Sequence, residues 1–383
     1  MRTQYQFNFR KPYYSNSHFL KPVLISGSAL SITLIAMTLG GCGRTSPEEA
    51  NSSSGKTAPV NPTNSAPETG NANASGDFKA ALITSGPTSD NGWNADAYKA
   101  FQSVKKEMNL SDTNAASEEN RTSSSLQDES LRSYASQKFN VIFAHGHEYQ
   151  DLALKMEKEY PKTLFVVSSG EKIGTNTTPI SLKLEDGAYL EGMLAAGMSK
   201  SHIIASVGAE KIPPVESVFQ AFEKGAKAVD PNVKVLLPAY TGSWDDPKKA
   251  KDQTLAMLSQ NADVIMQDVD AAASGVFKAV SESSKPDKPV YALGTNSDQN
   301  MAAPDVILAS APIYFDKVFL DIAKQVKAGT YKPTAAIFDL KSGIIGFVIN
   351  PKIEAKIPAA LKQKIEDARK KILDGSLVVP KAG

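Results

Sequence analysis

Aromatic side chains stand among acids and amides in short polar segments that follow apolar runs. Segment 85–94 reads SGPTSDNGWN and includes Asp90 and Trp93, and segment 240–246 reads YTGSWDD and includes Trp244. These segments hold both tryptophans of the 383-residue chain. An aromatic face can stack on a planar ring, while carboxylates and amides hydrogen-bond to the ring edge. The combination predicts a site for a planar polar ligand.

A metal site is the second chemistry that the residues suggest. His145 and His147 stand two positions apart beside Glu148, and an extended segment would place both rings on one face, which is a possible geometry for binding zinc. The other histidines and the single cysteine form no second cluster that would complete such a site. We therefore predict no metal and no other cofactor, and we expect this segment to line the mouth of a ligand cleft, with His147 or Tyr149 near the ligand.

Catalytic motifs are missing from the sequence. There is no G-x-S-x-G nucleophile elbow, no P-loop and no dinucleotide-binding glycine fingerprint. Acids are nevertheless frequent in the polar segments, and paired carboxylates are the catalytic groups of glycosidases. Composition alone thus leaves a hydrolase of nucleosides or glycosides open.

The polar segments follow strand-length apolar runs that alternate with helical patterns. This alternation indicates βαβ units, parallel sheets and an α/β fold. Ligands of open α/β sheets bind beyond the C-terminal ends of the strands, which is where the polar segments lie. Strands are predicted over 79–84, 140–144, 163–168, 203–207, 233–237, 264–267 and 290–294. Helices are predicted over 97–108, 126–138, 152–160, 215–229, 247–259 and 272–284.

The N-terminal part of the chain has the composition of an export signal followed by a linker. A basic flank precedes an apolar stretch over 23–39, which ends in the small residues before Cys42 and resembles a bacterial lipobox. We predict a signal peptide over 1–41 and lipid modification of Cys42, which explains an otherwise unpaired cysteine. Residues 42–76 are rich in Ser, Pro, Asn, Gly and Thr, so we predict a disordered tether. The protein is therefore expected outside the cell or in the periplasm, anchored to the membrane.

The charge balance argues against one class of partner. The formal net charge is +1 at pH 7, so there is no electrostatic case for binding nucleic acid.

Four segments beyond the tether resemble the basic membrane lipoprotein (BMP) family, the substrate-binding proteins of ABC importers that include purine nucleoside receptors. They occur in the family's order and read GPTSDNGWN (86–94), EDGAYLEGMLAAGMSKSHIIASVGA (185–209), SWDDPKKAKDQTLAMLSQNADVIMQ (243–267) and LGTNSDQ (293–299). This resemblance implies a non-enzymatic receptor that works with an ABC permease and an ATPase. A cell-surface hydrolase, or a ligand-sensing lipoprotein not coupled to transport, is the alternative.

The resemblance also implies a more specific fold than the hydrophobic periodicity does. It is the two-lobed type I periplasmic-binding-protein fold, with parallel sheets flanked by helices and a three-stranded hinge. Lobe 1 is expected to hold 77–184 and 312–335, and lobe 2 to hold 185–311 and 336–350. A C-terminal helix over 351–383 is expected to pack on the outside.

The family's nucleoside receptors hold the base between two aromatic side chains, one from each lobe, while acids and an amide read its edge and the sugar. Trp93 and Trp244 fall on the aromatic positions, and Asp90 falls on the acid that meets the base. At the end of the strand over 264–267 we favour Asp270 over Asp268. The predicted ligand-binding set is Asp90, Asn91, Trp93, His147, Glu185, Trp244, Asp270, Gly294 and Asp298.

One position departs from the family's pattern. Ile313 stands where its nucleoside receptors have a lysine. A missing cation should weaken contact with the sugar. A purine nucleoside or a free nucleobase is the favoured ligand, and another planar heterocycle stays open.

Overall fold

The computed structural model describes residues 77–380, so the predicted signal peptide, Cys42 and tether lie outside the described part. Strands and helices alternate almost throughout it. The strands are β1 (Ala80–Thr84), β2 (Ala115–Glu118), β3 (Val141–His145), β4 (Leu164–Ser168), β5 (Thr177–Leu182), β6 (Ile203–Gly208), β7 (Lys234–Val235), β8 (Ala239–Tyr240), β9 (Val264–Asp268), β10 (Tyr291–Asn296), β11 (Ile307–Pro312), β12 (Ile337–Phe338) and β13 (Val348–Ile349). The helices are α1 (Trp93–Glu107), α2 (Ser124–Ser136), α3 (Gln150–Glu159), α4 (Glu185–Met198), α5 (Pro213–Val229), α6 (Pro247–Ser259), α7 (Ala273–Ser283), α8 (Phe315–Lys327) and α9 (Ala359–Asp374). None of these helices is both long and apolar enough to cross a membrane.

The first sheet has six strands in the order β12-β5-β4-β3-β1-β2, and every neighbouring pair is parallel. Strands β1, β3 and β4 are buried along their whole length. Successive side chains of a strand point to opposite faces. Ala80 and Leu82 accordingly pack with α1 and α8, whereas Ala81 and Ile83 pack with α2 and α3. Because helices pack on both faces of these strands, their sequences are continuous apolar runs, and such runs predict strands.

The second sheet has the strand order β13-β11-β10-β9-β6-β7, with β8 also paired to β6. Its pairs are parallel except β11 with β13, which is antiparallel. Helices α4, α5 and α9 cover one face, and α6 and α7 cover the other. We call each sheet with its flanking helices a lobe. The predicted α/β architecture of two parallel-dominated lobes flanked by helices is confirmed.

The chain passes from one lobe to the other three times. It crosses after β5, again after β11, and finally after β12. The last crossing corrects a predicted boundary, because residues 336–350 were all expected in lobe 2. Ile337 and Phe338 instead pair in parallel with Ser181 and Leu182 of β5 in the first sheet. Only β13 joins the second sheet, so the crossing falls between β12 and β13.

Helix α4 is an element that hydrophobic periodicity does not predict. Eleven of its 14 residues are buried, because it lies between the second sheet, α5 and α9. A helix buried on all sides has no polar face, so the 3.6-residue alternation of apolar and polar residues disappears. The predicted strand over 233–237 is also shorter than expected, since only Lys234–Val235 pairs with β6.

Candidate functional site

A cavity of about 720 Å³ lies where the C-terminal strand ends of the two lobes face each other. This volume is within the range of pockets that hold small molecules. The first lobe contributes Asp90, Trp93 and His147 to its lining, and the second contributes Trp244, Asp268 and Asp270. The structure thus brings both tryptophans to one cleft, together with three of the acids that follow strands.

Trp93 is the first residue of α1, and its indole is half-buried. The ring stacks on His145 with centroids 4.1 Å apart and planes inclined by 28°. Phe315 meets the indole edge-on at 5.2 Å. Trp93 therefore belongs to the apolar packing of the first lobe and also forms part of the cleft wall.

His145 packs behind the Trp93 indole and is uncharged. Its Nε2–H donates to the Trp93 carbonyl oxygen at 3.1 Å, which leaves Nδ1 to accept from the Ser168 hydroxyl at 2.9 Å. Burial lowers the pKa of His145 to about 3. The ring is therefore uncharged near neutral pH and fixed in one tautomer. Within residues 77–380 no cluster of three or more His, Cys, Asp or Glu side chains could hold a metal ion.

Trp244 contributes to the cleft from the second lobe. Its half-buried ring packs against the apolar clusters on both faces of that lobe's sheet. Its carbonyl oxygen accepts from the N–H of Ala272 at 3.0 Å. Asp246 caps α6 by accepting from the backbone N–H groups of Lys248 and Lys249, so the segment after Trp244 is held by helix capping.

Asp90 is buried, and its carboxylate is occupied by its own loop. Oδ1 accepts from the backbone N–H groups of Gly92 and Ala95 at 2.9 and 2.8 Å. Oδ2 accepts from the backbone and side-chain N–H groups of Asn94 at 2.9 and 2.8 Å. These four bonds close the loop and satisfy the first turn of α1. A ligand that used this carboxylate would compete with them.

Two acids at the end of β9 form an acidic floor on the second-lobe side. The Asn296 side chain bridges them, because its Nδ2 donates to Asp268 Oδ1 at 3.3 Å and to Asp270 Oδ1 at 3.2 Å. Burial raises the pKa of Asp268 to about 7. Burial, and then the charges of Asp90 and Asp268, raise the pKa of Asp270 well above its usual value. These carboxyls can therefore hold protons near neutral pH and offer donors as well as acceptors to a ligand.

The two lobes touch beside this floor. The Ser297 hydroxyl of the second lobe donates to Asp96 Oδ2 on α1. A Cβ atom placed on Gly92 would lie 3.4 Å from the Cα of Asp270, so the loop before α1 runs close to the floor. Burial raises the pKa of Asp96. The cleft is thus bridged on one side by direct contact between lobes.

Five of the nine predicted ligand-binding residues line the cavity: Asp90, Trp93, His147, Trp244 and Asp270. The other four lie elsewhere in this structure. Asn91 is exposed with a φ of 55°, and the exposed Asp298 accepts from the N–H of Asn300 in its own loop. Gly294 is buried within β10, and the buried Glu185 accepts from the Ser217 hydroxyl.

Asp268 and Asn296 are lining residues outside the predicted set. The sequence favours Asp270 over Asp268, and the structure has both at the floor. Asn296 lies in the segment LGTNSDQ, between the predicted ligand-binding residues Gly294 and Asp298. Strand β10 extends two residues further than its apolar run, which carries Asn296 to the strand end.

Comparison with known proteins identifies relatives over the whole described part of the chain. A family described as "ABC transporter substrate-binding protein PnrA-like" (Bmp) matches residues 78–382. A purine-binding protein of Brucella abortus is 27% identical over 80% of this chain and 84% of its own length. The nucleoside-binding protein BmpA of Lactococcus lactis subsp. cremoris is 27% identical over 79% of this chain and 89% of its own.

Solved structures agree on the fold. An ABC transporter solute-binding protein of Aeropyrum pernix superposes with a TM-score of 0.72, at 18% identity. The match covers 80% of this chain and 94% of that one. The predicted periplasmic-binding-protein fold of type I is therefore confirmed.

Proposed function

Because the chain belongs to the Bmp family of PnrA-like ABC transporter substrate-binding proteins, we propose that it is an importer's receptor for a purine nucleoside or nucleobase. The ligand lies in the cleft between the lobes. The observation that carries this proposal is the presence of two tryptophans, one from each lobe, in the wall of a single cavity of about 720 Å³. The purine-binding and nucleoside-binding relatives support the choice of ligand.

The chemistry of the lining supports a flat nitrogen heterocycle. Stacking of a base on an aromatic side chain contributes about 1–3 kcal/mol. Asp268, Asp270 and Asn296 lie at the floor, where they can hydrogen-bond to ring nitrogens or exocyclic groups. Such groups fix orientation in an otherwise non-directional stack.

The N-terminal sequence supports attachment of this receptor to a membrane. On this proposal Cys42 carries a lipid, residues 42–76 form the tether, and the lobes present the ligand to an ABC permease driven by an ATPase. The receptor faces the periplasm or the cell exterior. It returns the ligand unchanged and performs no catalysis.

Titration calorimetry with adenosine and with adenine tests the proposal, followed by chromatography of the mixture. We expect saturable heat for at least one of them and recovery of the intact compound. Release of free adenine from adenosine would instead identify the competing hydrolase, for which the acidic floor would supply the carboxyls. No heat with any purine nucleoside or base would reject the ligand class.

A further inference from the structure

A small recess lies behind the floor of the cleft. Its volume is about 10 Å³, which is about the space that one water-sized group needs. Leu184, Asp268 and Asn296 line both the recess and the main cavity. The recess therefore adjoins the main cavity, and Asp268 lines both spaces.

Glu191 on α4 points its carboxyl into this recess. Its side chain is 0% exposed, and neither Oε1 nor Oε2 has a hydrogen-bond partner among residues 77–380. The rest of the lining is apolar apart from Asp268, Thr295 and Asn296, and it includes no Lys, Arg or His. Burial, and then the charge of Asp268, raise the pKa of Glu191 well above its usual value.

An unpartnered carboxyl in an apolar wall is costly. A buried acceptor without a partner loses the hydrogen bonds that it makes with water in the unfolded chain, and a charged one loses more hydration. Two carboxyl groups lie at this spot, and among residues 77–380 the only hydrogen bond that they accept is the one from Asn296 to Asp268. The recess is therefore short of hydrogen-bond donors and of positive charge.

We propose that Glu191 and Asp268 form a subsite for an amino group of the ligand, so that the receptor selects amino-bearing over oxo-bearing heterocycles. An amino group fits the size of the recess and has two N–H donors, one for each carboxyl. A carboxyl has an acceptor oxygen for an N–H group whether or not it holds a proton, whereas a carbonyl oxygen at the same place could be satisfied only by a protonated carboxyl. The inference rests on the proposed function, because it assumes that a heterocycle occupies the main cavity.

Adenosine and inosine are suitable probes, since they differ in an amino or an oxo group on the same ring position. Calorimetry at pH 7 should give an affinity for adenosine roughly tenfold or more above that for inosine in the wild-type protein. Glu191→Leu removes both acceptors at similar volume, and we expect the ratio to fall to about threefold or less. Its melting temperature without ligand should stay the same or rise, because an unpartnered carboxyl is gone.

Two further variants complete the experiment. Glu191→Gln keeps one acceptor oxygen but adds an N–H₂ donor that a carbonyl oxygen can use, so it should also reduce the preference, and it serves if the leucine variant does not fold. Met193→Leu changes a buried residue of the same helix that does not line the recess, and it should leave the ratio unchanged.

The failures of the two proposals are distinguishable. Equal wild-type affinity for adenosine and inosine, or tighter binding of inosine, overturns the subsite and leaves the purine receptor standing. An unchanged ratio in both Glu191 variants has the same meaning and would make Glu191 a structural residue. If the wild-type protein binds no purine nucleoside or base, the receptor proposal falls and the subsite falls with it.

Discussion

At the scale of single residues, Trp93 connects the packing of a lobe with the wall of the cleft. It is the first residue of α1, and its indole stacks on the His145 ring. His145 also donates a hydrogen bond to the Trp93 carbonyl oxygen, which fixes the backbone of Trp93. The indole is thus held in place before any ligand arrives. A preorganised wall loses little conformational entropy on binding.

Trp93→Ala should therefore affect both binding and stability. Loss of stacking with a ligand ring should weaken nucleoside affinity by roughly 5- to 150-fold. Loss of the contacts with His145 and Phe315 should also lower the melting temperature. Trp93→Phe keeps an aromatic ring and should lose much less of both. Calorimetry and thermal unfolding of the two variants measure these effects, and full affinity in Trp93→Ala would remove the indole from the binding site.

Asp90 should behave differently, because its four hydrogen bonds serve its own loop. We expect Asp90→Ala to lower the free energy of unfolding by about 2–4 kcal/mol, with affinity falling as the loop loosens. Urea unfolding measures the first effect, and Asp90→Asn should lie between the alanine variant and the wild type. A variant with undiminished stability but abolished binding would show that Asp90 acts on the ligand directly.

Asp268 gives the ligand-free protein a distinct pH dependence. Its pKa is about 7 in the folded state against a usual 3.8, so the folded state binds the proton more tightly than the unfolded state. Its contribution to stability is complete below about pH 4 and is lost as the pH rises towards 7. We expect urea unfolding to show a decline over this interval of up to roughly 4 kcal/mol from Asp268.

Asp268→Asn should remove this part of the decline. The free energy of unfolding of the variant should still decline with rising pH, though by less than that of the wild type, because Asp270 and Glu191 also have raised pKa values. The same pH profile in the variant and the wild type would contradict the assignment of the shift to Asp268.

At the scale of elements, the contact between α4 and α5 sets the position of the helix that carries Glu191. A Cβ atom on Gly192 would lie 1.9 Å from the Phe222 carbonyl oxygen, and one on Gly225 would lie 1.9 Å from the Tyr189 carbonyl oxygen. Glycines from both helices therefore allow the backbones to approach closely. This contact holds α4 under the floor of the cleft.

Gly225→Ala should force these helices apart and lower the free energy of unfolding by about 3 kcal/mol. Lys224→Ala is the matched control, since Lys224 is an exposed neighbour on the same helix and its loss should change stability by less than about 0.5 kcal/mol. Chemical unfolding of the two variants measures the difference. Equal stability would mean that the two helices adjust to the methyl group without strain.

The elements also show what the sequence could predict. Strands β1, β3, β4 and β9 are continuous apolar runs buried on both faces, and each was predicted to within a residue or two. The polar segment after β1 contains Trp93, and the one after the short strand β8 contains Trp244, so the cleft wall was predictable. Strand β12 is only two residues long, and its pairing with β5 decides that it belongs to the first lobe. So short a strand gives no sequence pattern from which that pairing could be predicted. Glu191 could not be assigned, because its burial results from helices and strands distant in sequence.

At the scale of the whole molecule, the bond between Ser297 and Asp96 joins the lobes directly. A ligand can favour the closed arrangement only through contacts that the open one lacks, and a bond between lobes adds to this preference. Ser297→Ala should therefore lower ligand affinity by about 3- to 10-fold without a large change in melting temperature. Small-angle scattering of the ligand-free variant should show a larger radius of gyration than the wild type. Unchanged scattering and affinity would show that this bond does not hold the lobes together.

The central claim is that the cleft encloses an intact purine-type ligand. Native mass spectrometry of the purified protein, incubated with an equimolar panel of purine and pyrimidine nucleosides and free bases, tests it most directly. We predict one intact purine nucleoside or purine base retained per protein molecule, with the amino-bearing compounds retained first. Retention of none of the panel, or the appearance of free base and sugar from a nucleoside, would contradict the account.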